Sequence, residues 1–261
     1  VGESADSAQA TATPFADAST NLVAHLTFDD GTAGDSSGYG NNGTLNGGAS
    51  IVSDPQRGKV LSLDGSSGYV DIGNDASLDL SINNQATIAA WVKLAATHNH
   101  NTILSKGEWQ EAYSLVIKGD TTPANELWTG NDTAVFSCYP VPLNTWTHVA
   151  VTINGSLTTF YLNGKVSGAV NQDRGSPINQ TMTDVCLGRE QYDGSLPVGR
   201  WFFNGEMDDF RLYQQALTPA QIQNVMSNVV DIAPAFASHP LSEPDGSAGQ
   251  PYIGSLAGSA S

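Results

Sequence analysis

The sequence predicts an all-β protein, an antiparallel two-sheet jelly-roll sandwich with one short C-terminal helix. Three observations carry this. Short segments of alternating apolar and polar residues recur along the middle of the chain, separated by Gly, Asn and Asp. Only 14% of the 261 residues are charged while 27 are glycine, which favours many tight turns over long amphipathic helices. Helical periodicity appears once, close to the end of the strand-rich region. Many short strands at regular spacing are the mark of sandwiches and jelly rolls.

In chain order, the alternation predicts strands over residues 22–28, 60–63 and 69–72. The last two flank the turn Asp64-Gly65-Ser66-Ser67-Gly68, as in a hairpin. Further strands are expected over 87–94, 102–104, 113–117, 146–153 and 158–162, the last closing at the turn Asn163-Gly164. Residues 185–187 and 207–213 complete the set. The helix is expected over 219–229. Thr218 is its N-cap, Pro219 suits the first helical position, and Gln221 completes a capping box. Ile222, Val225, Met226 and Val229 form an apolar stripe at helical spacing that would close one end of the sandwich.

The composition shifts at both ends. Residues 1–20 are rich in Ala, Ser and Thr and read as a linker or pro-region, residues 21–230 form the jelly-roll domain, and 231–261 return to Ala, Pro, Ser and Gly. No apolar run approaches the roughly 20 residues needed to cross a bilayer, and no signal peptide opens the chain. The chain reads as a mature or excised fragment of a secreted or cell-surface protein, monomeric in itself. A net charge of −16 argues against nucleic acid, whose backbone is bound by Lys and Arg displacing counterions. The same charge disfavours a polyanionic ligand unless local patches or bridging Ca²⁺ override it.

Cys138 and Cys186 are the only cysteines. An even pair in an acidic, Lys-poor chain suggests a disulfide, with two buried free thiols as the alternative. Residues 28–44 concentrate Asp29, Asp30 and Asp35 with Asn41, Asn42 and repeated glycines. Carboxylate, amide and backbone oxygens at this density suit a hard cation, six to eight at once for Ca²⁺. The other reading is a solvated turn held by Asx-type hydrogen bonds.

Ordered blocks across residues 21–230 resemble the laminin-G-like jelly-roll domain of the concanavalin A-like lectin/glucanase superfamily. They are Phe28-Asp29-Asp30-Gly31, Asp35-Ser36-Ser37-Gly38, Leu63-Asp64-Gly65-Ser66, Thr87-Ile88-Ala89-Ala90-Trp91, Trp146-Thr147-His148-Val149, Tyr161-Leu162-Asn163-Gly164 and Gly205-Glu206-Met207-Asp208-Asp209-Phe210. The resemblance implies a bent two-sheet sandwich and a structural Ca²⁺ where first and last strands meet. Its ligands would be Asp29, Asp30, Asp35, Asn41 or Asn42, and Asp208. Strand alternation points Asp208 and Asp209 to opposite faces, so at most one would face the metal. Residues 248–256 similarly resemble the first strand of a cadherin-like or Ig-like repeat, which would make the parent multimodular.

Relatives in this superfamily include glycosidases, whose retaining chemistry needs two carboxylates about 5 Å apart. Glu206 and Asp208 have the required i, i+2 spacing, but Arg211 stands where the acid/base Glu of the Glu-x-Asp-x-x-Glu signature would be. Lyases on this sandwich use Tyr and His. His98, His100, His148, Tyr113 and Tyr192 are present without the strand constellation, and His98-Asn99-His100 as a metal pair is the weaker reading beside an exposed loop. His148 is expected to be a satisfied structural histidine, and Trp91 and Trp146 to be packing residues within strand cores.

The leading expectation is therefore a noncatalytic, calcium-stabilised carbohydrate-binding module of a secreted bacterial polysaccharide-degrading enzyme. Its alternative is an adhesive, protein-binding module of a surface protein, and a lyase or hydrolase ranks third. The candidate sugar platform is Trp109, Trp128, Tyr139, Tyr192 and Trp201 with Arg189 and Arg200, aromatic faces for stacking and polar groups for hydroxyls.

Overall fold

The computed structural model describes residues 21–107, 112–130, 134–191 and 201–227. Its strands open with β1 (Leu22–Leu26), β2 (Thr44–Asn46), β3 (Ser50–Asp54), β4 (Gly58–Asp64) and β5 (Tyr69–Gly73). Next come β6 (Gln85–Leu94), β7 (His100–Lys106), β8 (Tyr113–Lys118), β9 (Glu126–Gly130) and β10 (Ala134–Pro140). The series ends with β11 (Thr147–Asn154), β12 (Leu157–Leu162), β13 (Lys165–Val166), β14 (Gln172–Asp173), β15 (Val185–Leu187) and β16 (Asn204–Tyr213), before helix α1 (Pro219–Met226). The linker expected over 1–20, the repeat expected after 231 and Val229 lie outside the described residues.

Two antiparallel sheets result. The larger has nine strands in the order β13-β12-β11-β6-β16-β4-β3, with β1 also on β16 and β14 on β12. The smaller has seven, in the order β10-β9-β8-β7-β15-β5-β2. Their facing side chains form one core that includes Leu61, Ile88, Val92, Leu115, Ile117, Val149, Val151, Phe160, Leu187, Met207 and Phe210. Burying one face of every strand is what fixes register, because a one-residue slip would turn each apolar side chain outward.

Helix α1 forms as the capping signals require. The Thr218 hydroxyl accepts from the Gln221 N–H, and the Gln221 side chain accepts from the Thr218 N–H. Ile222 and Val225 bury against Ala89, Ala150, Tyr161 and Tyr213 on the outer face of the larger sheet. The helix therefore packs on part of that face rather than closing an end of the sandwich, and polar groups occupy the rest.

On that polar part the structure corrects two expectations. Trp91 and Trp146 are absent from the sandwich core. Trp91 sits on the outer face, its edge against His148 at 5.5 Å between centroids and Arg57 over its ring at 4.3 Å. Asp208 and Asp209 do not diverge either. A bulge in β16, with Asp209 at φ 49, lets Met207 and Phe210 both enter the core. Both carboxylates are thereby left outside it. Asp208 binds Arg57 at 2.6 Å and Asp209 binds His25 at 2.7 Å and Arg211 at 3.1 Å. His148 is buried as expected, but its Nδ1 lacks a hydrogen-bond partner among the described residues. Burial pushes its pKa down to about 4, against the pull of Asp209 and with help from Arg211 and Arg57, so the ring is neutral.

Asp54 clamps the β3–β4 turn onto this face. It accepts from the Gln56 and Arg57 N–H groups, from Lys93 Nζ at 3.0 Å and from Trp146 Nε1 at 3.1 Å. Burial alone would raise its pKa, but these donors outweigh it and hold the carboxyl down at about 2. A folded-state value below the unfolded one stabilises the fold above pH 4 and stops doing so as pH falls through the folded value. Asp54→Asn is therefore expected to lose about 2 kcal/mol at pH 7. Urea denaturation at stepped pH should show that difference closing between about pH 4 and pH 2.

Candidate functional site

The Asp-rich loop after β1 is held by its own side chains. Phe28 ends the strand two residues early, buried at φ 61, and its carbonyl accepts from the Gly31 N–H. Asp35 is the hub. Its Oδ1 accepts from the His25 and Ser37 N–H groups at 2.8 and 2.9 Å. Its Oδ2 accepts from Ser37 Oγ at 2.7 Å and the Asn41 N–H at 2.9 Å. Asn42 Oδ1 accepts from the Asp35 N–H, and the buried Asn41 amide donates to Val23 O and Ser77 Oγ. Asp30 accepts from the Thr32 N–H and hydroxyl, and Asp29 is exposed. Gly43 returns the loop to the sheet where a Cβ would stand 2.4 Å from Val70.

The ligand set that the resemblance implied for calcium is largely engaged within the chain. Four donors already occupy the Asp35 oxygens, about the full complement of a carboxylate. Asp208 is held by Arg57, and its pKa is pushed up to about 6 by burial, which outweighs the guanidinium. Among the described residues no group of three or more His, Cys, Asp or Glu side chains is placed to hold a metal ion. Asp30, Asp35, Asn41 and Asn42 form a hydrogen-bonded turn, with Asp29 exposed beside it.

The expected disulfide is not formed: Cys138 is an exposed free thiol on β10 and Cys186 a buried one on β15. Three strands, β9, β8 and β7, separate them in the smaller sheet. At about 4.8 Å per strand spacing that is roughly 19 Å, far beyond the 7 Å limit for bridged Cα atoms. Burial lifts the Cys186 thiol to about 11, partly offset by Arg189.

The glycosidase pair is not assembled either. Asp208 is 5% exposed under Arg57, Glu206 binds Lys93 at 3.0 Å, and Arg211 turns to Asp209 and the Val225 carbonyl.

What the structure does assemble lies on the outer face of the smaller sheet. Strand alternation buries Tyr113, Leu115 and Ile117 in the core and turns Ser114, Val116 and Lys118 outward. In register across five strands stand Ser114, Ser105, Cys186, Asp71 and Thr44. The segment after β15 crosses above this row: Ser105 Oγ donates to Arg189 O and accepts from the Gln191 N–H. Arg189 lies flat over Tyr69, its guanidinium carbon 3.5 Å from the ring centroid. Thr102 Oγ1, Ser114 Oγ and Arg189 Nε are buried without a hydrogen-bond partner among the described residues.

Beside the row stands an aromatic trio. Trp201, at φ 59, stacks on His100 with centroids 3.8 Å apart and planes 9° from parallel. Trp128 meets both edge-on, at 6.2 Å from His100 and 6.3 Å from Trp201. The Thr102 N–H donates to Trp201 O, which ties the trio to β7. An open pocket of about 350 Å³ lies here, lined by Gly65, Ser66, His98, Asn99, His100, Trp201 and Phe202. Aromatic faces flanked by hydroxyls, amides and imidazoles can stack on a sugar ring and hydrogen-bond its hydroxyls.

Of the sugar platform expected from sequence, Trp128 and Trp201 meet, and Arg189 lies further along the same sheet face. Tyr139 stands apart at the β10 edge, 65% exposed, its N–H donating to Ser167 Oγ. Trp109, Tyr192 and Arg200 lie outside the described residues. His100, Thr102, Ser105 and Ser114 were missed as site residues. Strand alternation could not have found them together, because a register shift between Thr102 and Leu104 puts Thr102 and Ser105 on one face at an odd spacing.

The family model Laminin_G_3, of the concanavalin A-like lectin/glucanases superfamily, matches residues 64–223, more than half of the chain. The chain belongs to this laminin-G-like family of the superfamily. No curated protein matches it significantly. Among solved structures it is similar to domain 4 of AbnA, a GH43 extracellular arabinanase from Geobacillus stearothermophilus solved with arabinotriose. That match has TM-score 0.62 and 23% identity, covering 79% of this chain and 98% of the other. It is also similar to the binding domain of Paraclostridial Mosquitocidal Protein 1, with TM-score 0.63 and 17% identity over 80% of this chain. A third is botulinum neurotoxin type C, whose cell entry is described as dependent upon interaction with two ganglioside molecules, with TM-score 0.59 and 16% identity over 81% of this chain. The matches cover 52% of each toxin chain. At these identities the likeness establishes the fold.

Two outcomes follow from the loop and the thiols. Because Asp35 is satisfied by the chain's own donors, Asp35→Ala is expected to destabilise the domain by about 2 kcal/mol, whereas EDTA leaves Tm unchanged. A calcium-reversible drop in Tm on chelation would instead restore the implied ligand set. With a thiol-specific chromogenic reagent, Cys138 is expected to react in the native protein and Cys186 only after unfolding, and reductant should not move Tm.

Proposed function

We propose that this domain is a noncatalytic carbohydrate-binding module of a secreted protein, and that the outer face of the smaller sheet is its ligand face. One observation carries the reading: the stacked Trp201–His100 pair, which Trp128 meets edge-on, lines an open pocket together with Ser66, His98 and Asn99. Aromatic faces stack on a sugar ring while the flanking imidazole, amide and hydroxyl groups hydrogen-bond its hydroxyls. The likeness to an arabinanase domain solved with arabinotriose supports a saccharide ligand, and the likeness to toxin binding domains supports a binding role in general. The Arg57–Asp208 and Lys93–Glu206 pairs support the absence of a hydrolytic carboxylate dyad. No helix among the described residues is long and apolar enough to cross a membrane.

Affinity electrophoresis in gels containing arabinan, xylan, mixed-linkage β-glucan or polygalacturonate tests this, with reducing ends monitored. The expected result is retardation on at least one neutral glycan without product. Trp201→Ala should weaken that retardation by about tenfold or more, the size of one aromatic hot-spot contact. Retardation on none of them, or indifference to Trp201→Ala in a variant of native Tm, would overturn the assignment.

A further inference from the structure

The aromatic pocket is not alone at its end of the sandwich. Around the edge, on the open part of the larger sheet, runs a groove of about 300 Å³ lined by Ser62, Lys93, Asn144, Asn204 and Glu206 among others. Ser62, Glu206 and Lys93 stand side by side in register on β4, β16 and β6. The two hollows share a wall. Gly65 lines the first and Asn204 the second, and a Cβ built on Gly65 would stand 2.7 Å from Asn204 Cβ. The Gly65 N–H also donates to Phe203 O, so the β4–β5 turn and the start of β16 form one rim.

The chemistry of the groove is that of a hydroxyl reader. Lys93 Nζ bridges Asp54 Oδ2 and Glu206 Oε2, each at 3.0 Å, and lies 5.8 Å from the Trp146 ring centroid. The Lys93 and Glu206 side chains remain 29% and 26% exposed, so both reach the groove. A carboxylate accepts from neighbouring hydroxyls, an ammonium and an amide donate to them, and Leu63 and Ala95 give an apolar flank. Against Arg57 and Lys93 stand Asp54, Glu206 and Asp208. That balance, in a chain of net charge −16, repels an anionic sugar.

We infer that the groove extends the aromatic pocket into one elongated site, in which a single neutral polysaccharide chain passes over the shared rim from Trp201 to Lys93 and Glu206. This rests on the carbohydrate-binding reading and adds that the domain recognises the interior of a chain rather than its end. Affinity should therefore grow with chain length beyond what the aromatic pocket alone can hold.

Isothermal titration with trimers and hexamers of the arabino, xylo and cello series, and with a galacturonate hexamer, tests it. The double variant Glu206→Gln/Asn144→Gly keeps the Lys93–Asp54 pair and, because Gly tolerates the φ of 52 at position 144, is expected to retain native Tm. For the series that binds, the wild type should prefer the hexamer by about tenfold, the gain from one or two hydrogen bonds to a charged group. The double variant should lose that preference while binding the trimer as before. Trp201→Ala should weaken both lengths. The galacturonate hexamer should bind more weakly than its neutral counterparts. Equal affinity for trimer and hexamer, or a length preference that survives in the double variant, would overturn the extension and leave the aromatic pocket standing. Failure of every series to bind the wild type would overturn the carbohydrate reading itself, and the extension with it.

Discussion

The larger sheet hangs on one strand. β16 is hydrogen-bonded along one side to β6 and along the other to β4 in its first half and β1 in its second. Residues 22–26 therefore pair with residues 210–213, nearly two hundred positions away in sequence. Such pairing commits much loop-closure entropy before any contact offsets it, so the fold needs the intervening core to form in concert. The bulge at Asp209 is the adjustment that makes one strand serve three partners.

That bulge also organises the outer face. By turning Asp208 and Asp209 away from the core together, it creates a demand for partners that the Arg57 and Arg211 guanidinium groups and the His25 ring meet. Arg57 comes from the β3–β4 turn, which Asp54 anchors by gathering Lys93 and Trp146. Buried charges of this kind are tolerated because each is paired and hydrogen-bonded. The two tryptophans form the apolar flanks of this polar layer. The same residue types that suggested catalytic carboxylates are thus occupied in holding a turn to a sheet.

Much of the fold was legible. The ten strands and the helix read from alternation and capping all form, because burial of one strand face and satisfaction of helix-end N–H groups are local demands that leave local traces. The short strands β2, β13 and β14 left no trace, being two or three residues long. β9 and β10 were hidden because Trp128 and Tyr139 fall among Asn, Thr and Pro that read as loop. The aromatic cluster was half legible: Trp128 and Trp201 were named as candidates, but the stacking of His100 on Trp201, which sits at φ 59, is announced by no pattern.

The sequence by itself determined the class of fold, the register-setting apolar faces, the helix and its cap, and the family. Each of these is written in residues near one another, or in ordered blocks. Tertiary structure alone decided which groups share a face. It placed Cys138 and Cys186 four strand spacings apart in one sheet, turned Asp208 to Arg57 rather than to the Asp35 loop, and gave the Asp35 oxygens three backbone N–H donors and the Ser37 hydroxyl. These outcomes rest on strand order and on a single bulge, and neither is encoded in the spacing of the residues concerned.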